Sequence, residues 1–188
     1  MKKSLMQRIM GLAFCFMALF AGSVVGEARP SLHDTMGVEE FVEAYNNINK
    51  SAYNGKEIIT AVKELQNTSS NRLASYSLTT YNCTTSVGKT LQPLRNHIQV
   101  ATNEDGVIDS ITVYSLPNKP MLIETIKEMC CIVDVFGICE PQETLQFVRN
   151  AWENKEASRW NDESGREYVI TALVFPGNYI FMNLAARE

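Results

Sequence analysis

The apolar residues of this chain recur at two different spacings, and that change of spacing constrains the fold more than any other feature. After a capping Asp34 or Thr35, they fall three and four residues apart, as on one buried helix face, at Val38, Phe41, Val42, Tyr45 and Ile48. Elsewhere, short runs rich in β-branched and aromatic residues lie between turn residues, which is typical of strands. The sequence therefore predicts an α+β protein.

Three further helices are predicted from the helical spacing. Asn54 is placed to cap a second helix, with apolar residues at Ile58, Ala61, Val62 and Leu65. Asn118 is placed to cap a third, which carries Ile123, Ile126, Cys130 and Val133 before Gly137 ends it. Pro141 suits the first turn of a fourth helix, with Leu145, Val148 and Trp152 along one side.

Five strands are predicted, over residues 73–83, 97–102, 107–116, 168–175 and 179–184. Asp105-Gly106 between the second and third of them is a strong hairpin signal, and Pro176-Gly177 suits a tight turn between the last two. The last pair is apolar on both faces and should lie centrally in the sheet or between layers. We expect helices packed on one face of one antiparallel β-sheet.

Two histories are compatible with this order of elements. The halves 34–117 and 118–186 would each read helix, helix, strands, which suggests a weak ααββ tandem duplication. Identity between the halves is almost nil, and only the turn glycines Gly106 and Gly177 and the apolar alternation agree. The alternative is a single α+β domain with no repeat, and both histories give the same layered architecture.

Residues 1–28 have the three parts of a secretory signal peptide. A basic start with Lys2, Lys3 and Arg8 precedes the apolar run 9–20, and small residues follow up to Ala28. We expect cleavage near Ala28, with Gly26 as the alternative, so that 29–188 is a single mature α+β domain in the periplasm or outside the cell. A retained membrane anchor is the competing interpretation, because the apolar run reaches about 20 residues if Gly22 and Ser23 are counted.

The charge of the chain limits its partners. Its formal net charge is −4 over 188 residues, and removal of the basic leader leaves a more acidic chain without a basic block. Such a chain is poorly suited to nucleic acid or to anionic membrane surfaces, and none is expected as a partner. We expect the partner to be another exported or envelope protein.

Four cysteines remain beyond the leader, at Cys83, Cys130, Cys131 and Cys139. An even number in an exported chain predicts two disulfides. Since a bond between the adjacent Cys130 and Cys131 would be strained, we expect one of them to bond Cys139 and the other to bond Cys83. The alternative is that some of the four stay as buried free thiols.

The sequence contains no convincing catalytic, metal or cofactor motif. The segment 87–90 ends like a phosphate-binding loop, but Cys83 stands where that motif needs glycine. His33 and His97 are too far apart in sequence, and too poor in nearby carboxylates, to predict a zinc site. Cys83 and His97 could form a nucleophile–base pair, but a disulfide is the stronger interpretation of Cys83. No cofactor is expected.

Aromatic residues in the second half are the best candidates for a binding surface. They are Trp160, Trp152 and Tyr179, and exposed Trp and Tyr side chains are favoured at binding hot spots. Trp160 is expected in a polar loop, where it either meets a partner or folds back as a lid on the core.

Three functions follow from these features. The first is a non-enzymatic exported binding protein, such as an inhibitor or an envelope interaction module. The second is a small-ligand carrier, whose apolar pocket would be lined by Tyr168, Val174, Tyr179 and Phe181. The third is a small hydrolase with a site assembled from scattered residues, including His97 and a carboxylate.

Overall fold

A computed structural model describes residues 31–53, 57–65, 79–87, 96–115, 119–153, 157–175 and 179–187. Its helices are α1 (Val38–Ala52), α2 (Lys119–Val135) and α3 (Pro141–Glu153). Within the described part of the chain, no helix is long and apolar enough to cross a membrane.

The strands form one antiparallel sheet built from two meanders. They are β1 (Glu57–Leu65), β2 (Thr79–Val87), β3 (Asn96–Thr102), β4 (Ile108–Ser115), β5 (Ser158–Asn161), β6 (Glu167–Phe175) and β7 (Tyr179–Arg187). Their order across the sheet is β1-β2-β3-β4-β7-β6-β5, so that pairing of β4 with β7 joins the two meanders. The apolar β6–β7 pair lies inside the sheet, as its sequence predicted, and β1 and β5 are the two edges among the described strands.

The helices cover one face of this sheet, which we call the helix face. Cross-strand partners Val100, Ile111, Leu184 and Ile170 alternate onto that face, and all four are fully buried. They share one core cluster with Phe41 of α1, Ile132 of α2 and Val148 of α3. The predicted α+β class, with helices on one face of an antiparallel sheet, is confirmed.

The predicted second helix is wrong, because its residues form the edge strand β1. Ile58, Ala61, Val62 and Leu65 fit a helical spacing, but Ile58, Ile59, Thr60 and Val62 are β-branched, which favours strand. Tertiary contacts then decide: β1 pairs with β2 along its length, and the Asn46 side chain of α1 both donates to and accepts from the backbone of Ile59, at 2.9 and 2.8 Å. In its described residues the first half thus has one helix and four strands, so the second helix of the possible ααββ order is not found among them.

A sharp corner between α2 and α3 fixes the direction of α3. Gly137 adopts φ +59°, and the N–H groups of Gly137 and Ile138 donate back to the carbonyls of Asp134 and Val133. This is the Schellman arrangement that ends a helix. The Asp134 carboxylate then accepts hydrogen bonds from Thr144 of α3, at 2.6 Å, and from Tyr53 after α1, at 2.5 Å. One side chain therefore links the ends of all three helices.

The far face of the sheet, opposite the helices, carries a row of amide and hydroxyl side chains. Gln99, Thr112, Asn183 and Thr171 are cross-strand neighbours there, and Asn183 donates to the Thr112 hydroxyl at 3.0 Å. Gln99 and Thr112 are buried, whereas Asn183 and Thr171 are half-buried, so only part of this row is accessible.

Candidate functional site

A groove of about 280 Å³ runs between helix α3 and the edge strand β5. Five of its residues come from the helix and three from the strand: Gln142, Glu143, Gln146, Phe147 and Asn150, and Ser158, Arg159 and Trp160. We call it the α3–β5 groove. It has an aromatic floor, from Phe147 and Trp160, and its other lining residues are polar or charged.

Helical spacing places the groove residues of α3 on neighbouring lines. Gln142, Gln146 and Asn150 are four residues apart and form an amide row, in which Gln146 donates to Asn150 at 2.5 Å. The fully buried Val148 anchors the same helix in the core. The amide row is therefore carried by a rigid element rather than by a loop.

Trp160 forms the floor of the groove and is half-buried. Its ring centroid lies 6.1 Å from that of Phe147, with the rings tilted by 54°. The sequence left open whether Trp160 meets a partner or covers the core. In the structure its ring packs against the core and also lines the groove. The prediction of a polar loop at this position is wrong, because Trp160 lies in β5 and pairs with Tyr168 of β6.

The backbone of β5 has an unpaired outer side among the described strands. Asp162 N–H donates to the Arg166 carbonyl at 3.1 Å, which makes these two residues a hydrogen-bonded pair. Since bonded and non-bonded pairs alternate along an antiparallel ladder, Trp160 and Ser158 bond inward to β6. Arg159 and Asn161 therefore direct their N–H and C=O groups to the open edge beside the groove.

The β5–β6 turn is held by one carboxylate. Asp162 Oδ1 accepts from the Ser164 N–H at 2.9 Å, the Ser164 hydroxyl at 2.6 Å and the Arg166 N–H at 3.0 Å, and Oδ2 accepts from the Tyr168 hydroxyl at 3.2 Å. These bonds, the Ser164 hydroxyl first, hold the pKa of Asp162 below its ordinary value. Gly165 has φ +90°, which suits glycine in this turn.

Two ion pairs brace the same hairpin. Arg159 bonds Glu167 across the strands at 2.7 Å, and Arg166 bonds Asp34 of the N-terminal segment at 2.6 Å. The bond with Arg166 lowers the pKa of Asp34. Since the Arg159 charge is already paired, the groove presents Glu143 as its unpaired charge among the described residues.

The other two predicted binding residues do not join Trp160 in the groove. Trp152 packs against the core from the last turn of α3 and is half-buried. Tyr179 begins β7 opposite Phe175, and its side chain lies outside the described part of the structure.

The two predicted disulfides are absent, because all four cysteines are free thiols in the structure. Burial raises the pKa of Cys83 and of Cys130 to about 12, which disfavours the reactive thiolate. Cys131 Sγ donates to the Tyr45 carbonyl at 3.6 Å, and Cys139 Sγ lies 3.6 Å from the Thr144 hydroxyl. These contacts direct the Cys131 thiol toward α1 and the Cys139 thiol toward α3.

The hydrolase hypothesis finds no support at Cys83. This thiol is fully buried in β2 and pairs in register with Ile98, while His97 pairs with Thr84. The side chain of His97 lies outside the described residues. In the regions that the structure describes, no three His, Cys, Asp or Glu side chains are grouped to hold a metal ion.

The expected carrier pocket is not formed as predicted. Tyr168 pairs with Ala186 and Phe181 pairs with Leu173, and positions 181 and 186 alternate onto opposite faces of β7. Tyr168 lies in the core cluster on the helix face, whereas Phe181 lies on the far face against Tyr114, with ring centroids 4.9 Å apart. One cavity cannot be lined by both; the Val174 side chain lies outside the described residues.

Sequence reasoning missed the amide row and the edge position of β5. The spacing of Gln142, Gln146 and Asn150 was visible in the sequence, but it indicates only a polar helix face until the neighbouring strand is known.

Comparison with known protein families, curated proteins and solved structures gave no match. The function is therefore inferred from the geometry of this chain.

Proposed function

We propose that this protein is an exported, non-enzymatic binding protein that captures an extended segment of another exported or envelope protein in the α3–β5 groove. The observation that carries this proposal is the open edge of β5 beside a groove with an aromatic floor. A segment that adds to this edge as a further strand would bond to the N–H and C=O groups of Arg159 and Asn161. Its side chains on one face would contact Trp160, Phe147 and the amide row.

The composition of the groove supports a polypeptide ligand. An edge strand supplies affinity through main-chain bonds, which any extended chain can make, while the adjacent groove selects alternate side chains. The amides of Gln146 and Asn150 can both donate and accept, so they suit polar side chains or the peptide backbone. Arg159 and the short length of β5 limit unspecific pairing of the edge.

The sharpest test compares Arg159→Pro with Arg159→Ala. Both remove the ion pair with Glu167, but only proline removes the N–H that faces the open edge, and proline is tolerated on edge strands. Peptides selected on the immobilised full chain from a displayed random library would serve as probes. We expect Arg159→Ala to bind them nearly as wild type does, and Arg159→Pro to bind about tenfold or more weakly, since one main-chain bond and steric access are lost together.

A second pair of variants tests the helix wall. Gln146→Arg would fill the groove, whereas Leu145→Arg changes a neighbouring exposed residue that does not line it. Binding should fall only for Gln146→Arg, with both proteins equally folded by circular dichroism.

Three results would contradict the proposal. Equal affinity of the Pro and Ala variants would exclude strand addition at β5. Equal weakening by Leu145→Arg and Gln146→Arg would exclude the groove. A dimer in sedimentation that Arg159→Pro converts to monomer would assign the edge to a second copy of the chain instead.

A further inference from the structure

A second groove lies at the opposite end of the sheet, over the beginning of α1. Its volume is about 460 Å³, and it is lined by Val38, Glu39, Val62, Glu64, Tyr81 and Gly106. We call it the α1–β1 groove. It is remote in the strand order from the α3–β5 groove, because β1 and β5 are opposite edges of the sheet. A ligand of the α1–β1 groove would therefore not occupy the edge of β5.

The floor of the α1–β1 groove is apolar and partly exposed. The Val62 side chain is 42% exposed, although it lies on the helix face beside the fully buried Cys83. Tyr81 is half-buried and packs against the core cluster, so its ring is held in place. An aliphatic side chain next to a fixed aromatic ring forms a surface on which a hydrocarbon chain can lie.

Two exposed carboxylates flank this floor. Glu39 in the first turn of α1 and Glu64 near the end of β1 are both exposed. The four ion pairs among the described residues involve neither of them. Since the whole chain is acidic, the potential around the groove favours a cation.

We infer that the α1–β1 groove binds a lysine or arginine side chain presented by a partner protein. Such a side chain places its aliphatic stem along Val62 and its cation near Tyr81, between Glu39 and Glu64. The partner is a protein rather than a free small cation because the groove is open to solvent and would leave most of a small ligand uncovered. It also lies on an edge strand, which a neighbouring chain can approach.

The test uses the full chain and a blocked five-residue peptide with one central lysine between two serines and two leucines. Backbone amide shifts at Val62, Glu64 and Tyr81 report binding at the site. The matched ligand is the same peptide with an acetylated lysine, which keeps the stem and removes the charge. The matched protein variant is Glu43→Gln, because Glu43 is an exposed carboxylate of α1 that does not line the groove.

We expect the lysine peptide to shift these three amides and its acetylated form to bind at least about fivefold more weakly. Glu64→Gln and Glu39→Gln should each weaken binding about two- to fivefold, and Glu43→Gln should not. Tyr81→Leu should weaken it by a similar factor, because the floor stays apolar while the cation–π contact is lost.

The inference would be overturned by equal binding of the acetylated peptide, or by a Glu43→Gln effect as large as that of Glu64→Gln, since both indicate unspecific association. Butylamine, which has the stem and the single charge of a lysine side chain, would assign the groove to free cations and exclude the protein partner if it bound as tightly as the lysine peptide.

Discussion

Asp162 is the residue on which the edge strand β5 depends most directly. Its carboxylate accepts three hydrogen bonds within the turn and one from Tyr168. Each such bond contributes about 0.5–1.5 kcal/mol net, and water replaces part of this in an exposed turn. We therefore expect Asp162→Ala to lower the free energy of unfolding by about 2 kcal/mol, and to weaken peptide binding at β5 because the strand is no longer held beside α3.

Another turn of the same molecule predicts the effect of Asp162→Asn. Asn103 Oδ1 accepts from the N–H groups of Asp105 and Val107, both at 3.0 Å, and Gly106 has φ +79° in the place that Gly165 takes in the second turn. The amide oxygen thus builds the same turn without a charge. Asp162→Asn should lower the free energy of unfolding by about 0.5–1.5 kcal/mol, because charge assistance is lost and the Tyr168 hydroxyl then faces an amide N–H.

The pH dependence of the unfolding free energy separates the effect of the Asp162 charge from that of its hydrogen-bond geometry. Because its folded-state pKa is lowered, the Asp162 carboxylate stabilises the protein fully above the unfolded value near 3.9, and this contribution is lost as the pH falls through the folded pKa. The difference in stability between wild type and Asp162→Asn should be constant from pH 7 to about pH 5 and shrink below about pH 4. Asp34 behaves in the same way and is present in both proteins, so its contribution enters the difference only through its small repulsion with Asp162.

Urea titrations from pH 3 to pH 7, with hydrogen exchange of residues 158–168, measure both effects. Exchange should rise locally in Asp162→Ala even under conditions where the protein stays folded. Unchanged exchange in β5, or a wild-type minus Asn difference that does not vary with pH, would refute the role of this carboxylate.

Three further outcomes follow from the contacts. Asn46→Leu leaves the N–H and C=O of Ile59 without their partner and should cost about 2–4 kcal/mol in urea unfolding, whereas a loss below about 0.5 kcal/mol would show that β1 does not need this link. Asp134→Asn should lower the free energy of unfolding by about 1–2 kcal/mol, because the hydroxyl of Tyr53 or of Thr144 then faces an amide N–H. A thermal melt identical to that of wild type would contradict this. Iodoacetamide followed by mass spectrometry should modify the half-buried Cys139 before the fully buried Cys83, and the reverse order would contradict the burial described here.

Local sequence signals predicted those parts of the fold that local chemistry determines. Gly106 after Asp105 marked the β3–β4 hairpin, and Gly137 and Pro141 marked the corner between α2 and α3. In each case one residue supplies a backbone conformation that most others avoid. Segments with such residues were placed correctly to within a few positions.

The segment that became β1 shows why spacing alone fails. Its apolar residues satisfy a helical period and also contain a β-branched run, so the sequence supports both assignments. The choice is made by partners distant in sequence, β2 and the Asn46 amide, which satisfy the backbone of β1 as a strand. The spacing of apolar residues within a nine-residue segment says nothing about those distant partners.

The candidate site was missed for a related reason. Residues 161–165 read Asn-Asp-Glu-Ser-Gly, a turn of the same kind as Asn103-Glu-Asp-Gly, and this signal could have predicted a strand that ends at 161. Four residues carry too little pattern to identify β5 alone. Its edge position depends on the pairing of β4 with β7, which places β6 and then β5 outermost. Strand order decides which backbone N–H and C=O groups stay unpaired, so a binding edge is a property of the whole sheet. The position of Trp160 in the groove could therefore be assigned only once its neighbours Phe147 and β6 were known.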